Sequence, residues 1–317
     1  MSKFIRRDGD LSAQPPYALE MTDVFLFVLE ADSEKLQAMC DRELNLGPRR
    51  YSPMGDFVVL YGARIANLST GTVLRTREIG IWVPVVAEDP DGNKELLTYS
   101  PYVWIDSSTS MHVGREVFGY TKLVGEVTLP DVGAPVVLRA HGDTLATRHG
   151  EASVVRAPIL SIAPEQAATW ARPAVRGPER WLELAKLFGT ISHELVRMDP
   201  KPSVSELVSL IQGMRSVFLK QLPGPGPGHE ADFQSLVEAA VVPDLSTLSG
   251  EALDGRWTVS LPDAYDEPRV VENLGLRGGT MSGAGAAAAY EVTALGQAWM
   301  EFEGVLESGD EVWRGDS

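Results

Sequence analysis

The stretch HVGREVFGYTKLVGEV, His112–Val127, sets one lysine, Lys122, just beyond a glycine and an aromatic in a chain that otherwise leans to acid. A free lysine has a pKa near 10.4 and is neutral in only about one molecule in 2,500 at pH 7, so as a nucleophile it is nearly silent. Lowering that pKa by about three units, on the order of 4 kcal/mol, takes desolvation or a neighbouring cation. Alternation places Lys122 on one face with Tyr120, and Leu123 with Thr121 on the other, so an apolar inner face would supply the desolvation. Taken alone, a lysine in a β-rich protein is ordinarily a solvated surface charge.

Outward from this segment, apolar and β-branched runs recur: VFLFVLE from Val24, DFVVLYGARI from Asp56, EIGIWVPVV from Glu78, LLTYSPYVWI from Leu96 and APVVLRAHG from Ala134. Turn signals such as EDPDGNKE and LPDVGAP separate them, so the first half reads as a mainly antiparallel sheet. Only SEKLQAMCDREL interrupts it with helix. Past Pro178 the period changes: Trp181, Leu184, Phe188, Ile191 and Leu195 form a helical stripe. A second helix opens with the Ser203 and Glu206 capping-box pattern and carries Val204, Leu207, Ile211 and Met214. Strands return in VFLKQLP and FQSLVEAAVV, with LPGPGPGHE, Leu222–Glu230, read as the loop between them. The run Tyr290–Val305 fits neither period cleanly.

Composition narrows the function. With 317 residues, 44% hydrophobic and 23% charged, the chain buries a large core. A net charge of −16 argues against nucleic acid or an anionic membrane as partner, because both require a basic surface. No segment reaches the roughly 20 apolar residues of a membrane span, and the N-terminal MSKFIRRDGDLSAQPPY lacks the apolar run of a secretory signal. Cys40 is the sole cysteine, which fits a reducing cytoplasm and reads as a small buried hydrophobe. The five histidines show no paired metal spacing, and no metal site is read. Gly283, Gly285 and Ala288 have a GxGxxA spacing but lack the βαβ unit that a dinucleotide site needs. Small molecules or other proteins are the expected partners.

The lysine segment resembles that of the acetoacetate decarboxylase family, in which Gly-Arg-Glu leads through an aromatic and one further residue to the Schiff-base lysine; Lys122 falls on that lysine. REIGIWVPV is similar to the family strand bearing an active-site glutamate, which puts Glu78 in that place, and FLKQLP, FQSLVEAAVV and AWMEFEGVLESGDEVW look like later strands. The resemblance implies an α+β, mainly antiparallel single domain over 1–317, a β-barrel or cone around an internal cavity. It implies further a homo-oligomer, with a two-helix insertion at about 163–215 as the main addition to the family pattern; the reducing cytoplasm is the location expected from the cysteine count. The resemblance also implies chemistry without a cofactor: Lys122 forms an imine with a small carbonyl compound, and decarboxylation, aldol addition or dehydration follows. A carbonyl-ligand binding protein without turnover is the alternative, and a structural subunit a third reading.

This chain departs from the family pattern at several positions. Leu123 stands where a second lysine usually follows, and Thr121 where proline commonly precedes the nucleophile. No arginine stands near Thr22, and no second glutamate near Tyr61. Glu78 is the candidate for proton transfer. Arg64, Arg75 and Arg77 are candidates for the missing substrate-carboxylate clamp, with Arg75 and Arg77 sharing a strand face opposite Thr76 and Glu78. Tyr120 and Trp82 are expected as cavity or core aromatics.

Overall fold

Runs of β-branched and aromatic residues broken by turn signals become sixteen strands in the computed structural model, which describes residues 15–68, 73–148, 151–172, 214–223, 231–244, 246–262, 269–283 and 288–315. In chain order these begin with β1 (Tyr17–Glu30), helix α1 (Ser33–Glu43), β2 (Arg50–Pro53), β3 (Phe57–Asn67), β4 (Leu74–Glu88) and β5 (Lys94–Ile105). Helix α2 (Ser108–Val113), β6 (Lys122–Thr128), β7 (Leu138–Arg148), β8 (Glu151–Pro164), β9 (Met214–Pro223) and β10 (Ala231–Pro243) follow. The last are β11 (Ser249–Ala252), β12 (Trp257–Pro262), helix α3 (Arg269–Leu274), β13 (Thr280–Ser282), β14 (Ala289–Thr293), β15 (Gly296–Leu306) and β16 (Asp310–Arg314). The run whose period was ambiguous, Tyr290–Val305, is thus two strands. Both expected helices of the insertion lie outside the described residues except for Met214, expected at the end of the second helix, which instead opens β9; of the expected loop Leu222–Glu230, Leu222 and Pro223 end β9, while 224–230 and residues 284–287 of the glycine and alanine tract lie outside the described residues.

Hydrogen bonding carries the sheet through β5, β9, β10, β15, β1, β3 and β4, and β4 pairs with β5 again, so these strands close on themselves as a ring. From β5 the sheet also continues outward through β6, β7, β8, β12, β14 and β13. One edge of β5 serves both branches: Thr98 and Tyr99 pair with β9, and Val103–Ile105 with β6, each in parallel. The other named pairings are antiparallel. The fold is therefore the mainly antiparallel α+β architecture expected, with the parallel contacts confined to this fork, where Lys122 begins β6.

The ring needs one strand to serve two cores. In the first half of β1, Tyr17, Leu19 and Met21 face the cluster inside the ring; after a bulge between Met21 and Val24, Val24 and Leu26 continue that row. Phe25, Phe27 and Leu29 then turn to the second, larger core against α1. The extra residue shifts the parity by one, as a bulge must. Asp23 holds it, at φ 50°, a left-handed conformation that aspartate tolerates better than most residues. Its carboxylate is buried and accepts from Arg172 Nε and Nη2 at 3.0 and 2.9 Å and from Trp299 Nε1 at 3.3 Å, with Arg64 Nε at 3.2 Å.

Helix α1 starts where Asp32 accepts from the Glu34 and Lys35 N–H groups, and it buries Leu36, Met39 and Cys40 at helical spacing. Burial, with Asp41 and Glu43 nearby, pushes the Cys40 thiol up to about 12, which removes it from nucleophilic chemistry at neutral pH. No helix among the described residues is long and apolar enough to cross a membrane.

Replacing Asp23 by alanine should leave Arg172, Arg64 and Trp299 short of an acceptor and a methyl group in a left-handed conformation. A loss of about 3 kcal/mol is expected in urea unfolding. Asp23→Asn, which keeps the shape and the tolerance of that backbone, should lose less.

Candidate active site

The segment that carries Lys122 is built by a cap, a wide turn and two glycines. The Ser107 hydroxyl accepts from the Ser110 N–H at 3.2 Å and starts α2. The helix widens into one π turn, Gly114–Phe118, where the Gly119 and Tyr120 N–H groups both donate to the Gly114 carbonyl, at 3.0 and 3.1 Å. Turns of this kind are uncommon and recur at functional sites. At Gly119, φ 93°, a Cβ would lie 2.6 Å from the Lys220 Cα, so both conformation and space demand glycine. The strand-and-turn reading of this segment therefore applies from Lys122 onward, and upstream the Ser107 cap makes helix instead.

Lys122 is 8% exposed and extends into a cavity of about 110 Å³ inside the ring, to whose wall all seven ring strands contribute. Its Nζ donates to Glu78 Oε2 at 2.9 Å, and the Tyr61 hydroxyl donates to Glu78 Oε1 at 3.0 Å. One carboxylate thus spans an amine and a phenol. The alternation of β4 turns Thr76, Glu78 and Trp82 inward, and the small Ala63 stands opposite Glu78 on β3. Gly80 faces Tyr61 in register; a Cβ there would come within 2.7 Å of the Tyr61 ring, so the phenol lies where only glycine leaves space.

Aromatic rings complete the wall. Trp82 stacks on Tyr61 with centroids 4.2 Å apart, and the Lys122 Nζ lies 4.8 Å from the Tyr120 centroid, which packs on Phe218 at 3.9 Å. Burial and the nearby Glu78 charge raise the Tyr61 hydroxyl well above the usual tyrosine range and raise that of Tyr120 as well. Both phenols therefore stay protonated at neutral pH, and Tyr61 is fixed as a donor to Glu78. The lining otherwise is mostly apolar, with Leu19, Met21, Ile65, Val113 and Leu306, while Thr98 and Ser216 share a hydrogen bond at 2.8 Å on one side.

Of the residues singled out in the sequence, Lys122, Glu78, Tyr120 and Trp82 line this one cavity. Arg64, Arg75 and Arg77 do not, and the expectation of a carboxylate clamp from them needs correction. Because Ile65 and Thr76 point inward, their neighbours Arg64, Arg75 and Arg77 point to the opposite face of the β3–β4 ribbon, with Arg64 directly across from Arg77. Tyr61 was the residue missed: it occupies the strand position where a second glutamate was sought, and it partners Glu78 instead. Its phase, two residues from Ala63 and four from Ile65, was readable, but its partner was not.

The acetoacetate decarboxylase (ADC) family model matches residues 6–167, about half of the chain, from before β1 through β8. The chain belongs to the acetoacetate decarboxylase family. An acetoacetate decarboxylase from Legionella pneumophila subsp. pneumophila str. Philadelphia 1 aligns with TM-score 0.58 and 14% identity, over 99% of this chain and 93% of that one. An acetoacetate decarboxylase-like enzyme from Sphingomonas wittichii RW1 aligns with TM-score 0.53 and 14% identity over 99% of both chains. The enduracididine biosynthesis enzyme MppR, complexed with the condensation product of pyruvate and imidazole 4-carboxaldehyde, aligns with TM-score 0.50 and 12% identity over 96% and 92%. At such identities these are likenesses of fold, and they extend the family architecture over the strands that follow residue 167. No curated protein sequence matches the chain.

Gly114 tests how tightly the acetoacetate decarboxylase-like cavity places its lysine. A Cβ there would stand 2.9 Å from the Lys122 Cδ, although the helical backbone of Gly114, φ −61°, accepts alanine readily. Gly114→Ala should therefore leave the thermal midpoint almost unchanged while slowing reductive alkylation of Lys122 about tenfold or more, read by peptide mass spectrometry.

Proposed function

We propose that this protein is an enzyme that binds a small carbonyl compound, a keto acid above all, as an imine on Lys122. The observation that carries this reading is the hydrogen bond between the buried Lys122 Nζ and Glu78 Oε2 in a largely apolar cavity. Family membership supports action on a carbonyl group, and among the structural relatives MppR holds a pyruvate-derived condensation product.

In the proposed sequence Lys122 passes a proton to Glu78 across 2.9 Å, and the neutral amine adds to the carbonyl carbon. A proton then passes from the added nitrogen to the oxygen to give the carbinolamine, whose hydroxyl takes a second proton from Glu78 and leaves as water, so the carboxyl group acts first as base and then as acid. The protonated imine draws electrons from the neighbouring carbon. With a β-keto acid the carbon–carbon bond breaks, carbon dioxide departs and an enamine remains. Protonation of its carbon and addition of water then return a ketone and free Lys122. With another keto acid the same enamine attacks an aldehyde, or the imine assists loss of a hydroxyl as water. The imine supplies the electron sink, so none of these routes draws on a metal or organic cofactor. Tyr61 holds Glu78 in place throughout. The cavity of about 110 Å³ is small beside the roughly 300–1,000 Å³ of drug-sized pockets, which favours short substrates.

Incubation with acetoacetate, pyruvate and related keto acids, followed by borohydride, should add one reduced adduct to the peptide containing Lys122. Mapping the peptide matters, because Lys220 lies behind the π turn and half-burial lowers its pKa, which makes it a second amine open to alkylation. Lys122→Ala should abolish the adduct and turnover, and Glu78→Gln should cut turnover by about 10²–10⁴-fold while leaving the protein folded. Activity that survives Lys122→Ala would sink the imine mechanism; an adduct with no product from any keto acid would make this a carbonyl-binding protein instead.

A further inference from the structure

On the other face of the β3–β4 ribbon lies a second hollow, of about 440 Å³, polar where the lysine cavity is apolar. Strand register lays out its floor. Glu20, Ala66 and Arg75 form one row across β1, β3 and β4, and Thr22, Arg64 and Arg77 form the next. Ala66 is short and buried, so the floor sinks between longer side chains. Arg64 and Arg77 are directly opposed, an arrangement in which like charges repel. Arg172 also borders the hollow, so four guanidinium groups converge on one opening in a chain of net charge −16.

The acids around the hollow are engaged chiefly by Arg172 and Arg64. Arg172 is committed to Asp23 through two hydrogen bonds, with Glu301 at 4.0 Å. Arg64 is held by Asp23, by Asp131 at 2.6 Å and by the carbonyls of Leu129 and Pro130. Asp106 spends one oxygen on the Arg77 backbone N–H at 2.8 Å, and its other oxygen stays 3.8 Å from the Arg77 guanidinium. Arg75 has no ion-pair partner among the described residues, and Glu20, the other acid beside Asp106 on the wall of the hollow, stands two strands away beyond Ala66. Two exposed forks, from Arg75 and Arg77, are therefore left side by side on one strand face, with the Thr22 hydroxyl on the same floor.

We propose that this hollow is an oxyanion-binding site, in which Arg75 and Arg77 hold a doubly charged phosphoryl or dicarboxylate group on the face of the ribbon opposite Lys122. A planar guanidinium presents paired N–H donors to carboxylate or phosphate oxygens, and a dianion relieves the repulsion between Arg77 and Arg64 as it binds. Ile65 and Thr76 border both cavities, so the ribbon that carries Tyr61 and Glu78 inward carries this site outward. The proposal does not depend on the imine chemistry.

Calorimetric titration of the full chain with inorganic phosphate, and separately with malonate, at ionic strength fixed with sodium chloride, tests it. At least one anion should bind with a millimolar or tighter Kd and raise the thermal midpoint in step with its concentration. Which of them binds more tightly separates a phosphoryl from a dicarboxylate ligand. The double variant Arg75→Gln, Arg77→Gln should weaken binding at least tenfold, and Lys122→Ala should leave it unchanged. Absence of binding by both anions would overturn the proposal. So would binding that the double variant retains, or binding that Lys122→Ala removes, which would place the anion in the lysine cavity.

Discussion

Asp23 is the point on which the two halves of the molecule depend. A strand with strict alternation presents one set of side chains to one side for its whole length, yet β1 must line the cavity with Tyr17, Leu19 and Met21 and then pack Phe25, Phe27 and Leu29 into the larger core. The bulge at Asp23 makes the change of parity, and the carboxylate that sits there binds Arg172, Arg64 and Trp299. Without that shift the row that continues as Val24 and Leu26 would leave the apolar cluster inside the ring that backs the cavity wall.

Within the ring, the electrostatics follow from enclosure. A buried ion pair adds little to stability, since desolvation of both partners offsets their attraction, and apolar residues of the same volume often serve as well. The Lys122–Glu78 pair therefore contributes little as scaffold, and its place in this structure is the one the proposed imine chemistry gives it. Its surroundings keep the phenols of Tyr61 and Tyr120 protonated and leave Glu78, among the described residues, as the only carboxylate within hydrogen-bonding distance of the Lys122 amine. Gly114, Gly80 and Gly119 fix this arrangement by the side chains they lack: each leaves space that Lys122, Tyr61 or the Lys220 backbone fills.

Much of this was legible in the chain. The strands announced themselves because period-two alternation and turn residues are local signals, and the helix at Ser33–Glu43 because a helical run is a local signal too. Lys122 and Glu78 came from a resemblance in motif. Helix α2 and the π turn escaped because a run as short as STSMHV carries no clear period. The arginines illustrate a different limit: their strands do line the cavity, but one residue of phase decides between the Lys122 side and the opposite face, and that phase is fixed by which neighbours are buried.

By itself, then, the sequence determined the strand content, the acidic surface and the lysine segment, because each depends on residues close together in the chain. Only the tertiary structure decided that β4 returns to pair with β5 and closes the ring, that Glu78 meets Lys122 from 44 residues away, and that Tyr61 rather than a second carboxylate completes the contact. Those pairings are set by strand register, and register is a property of the partners a strand finds, not of the strand alone.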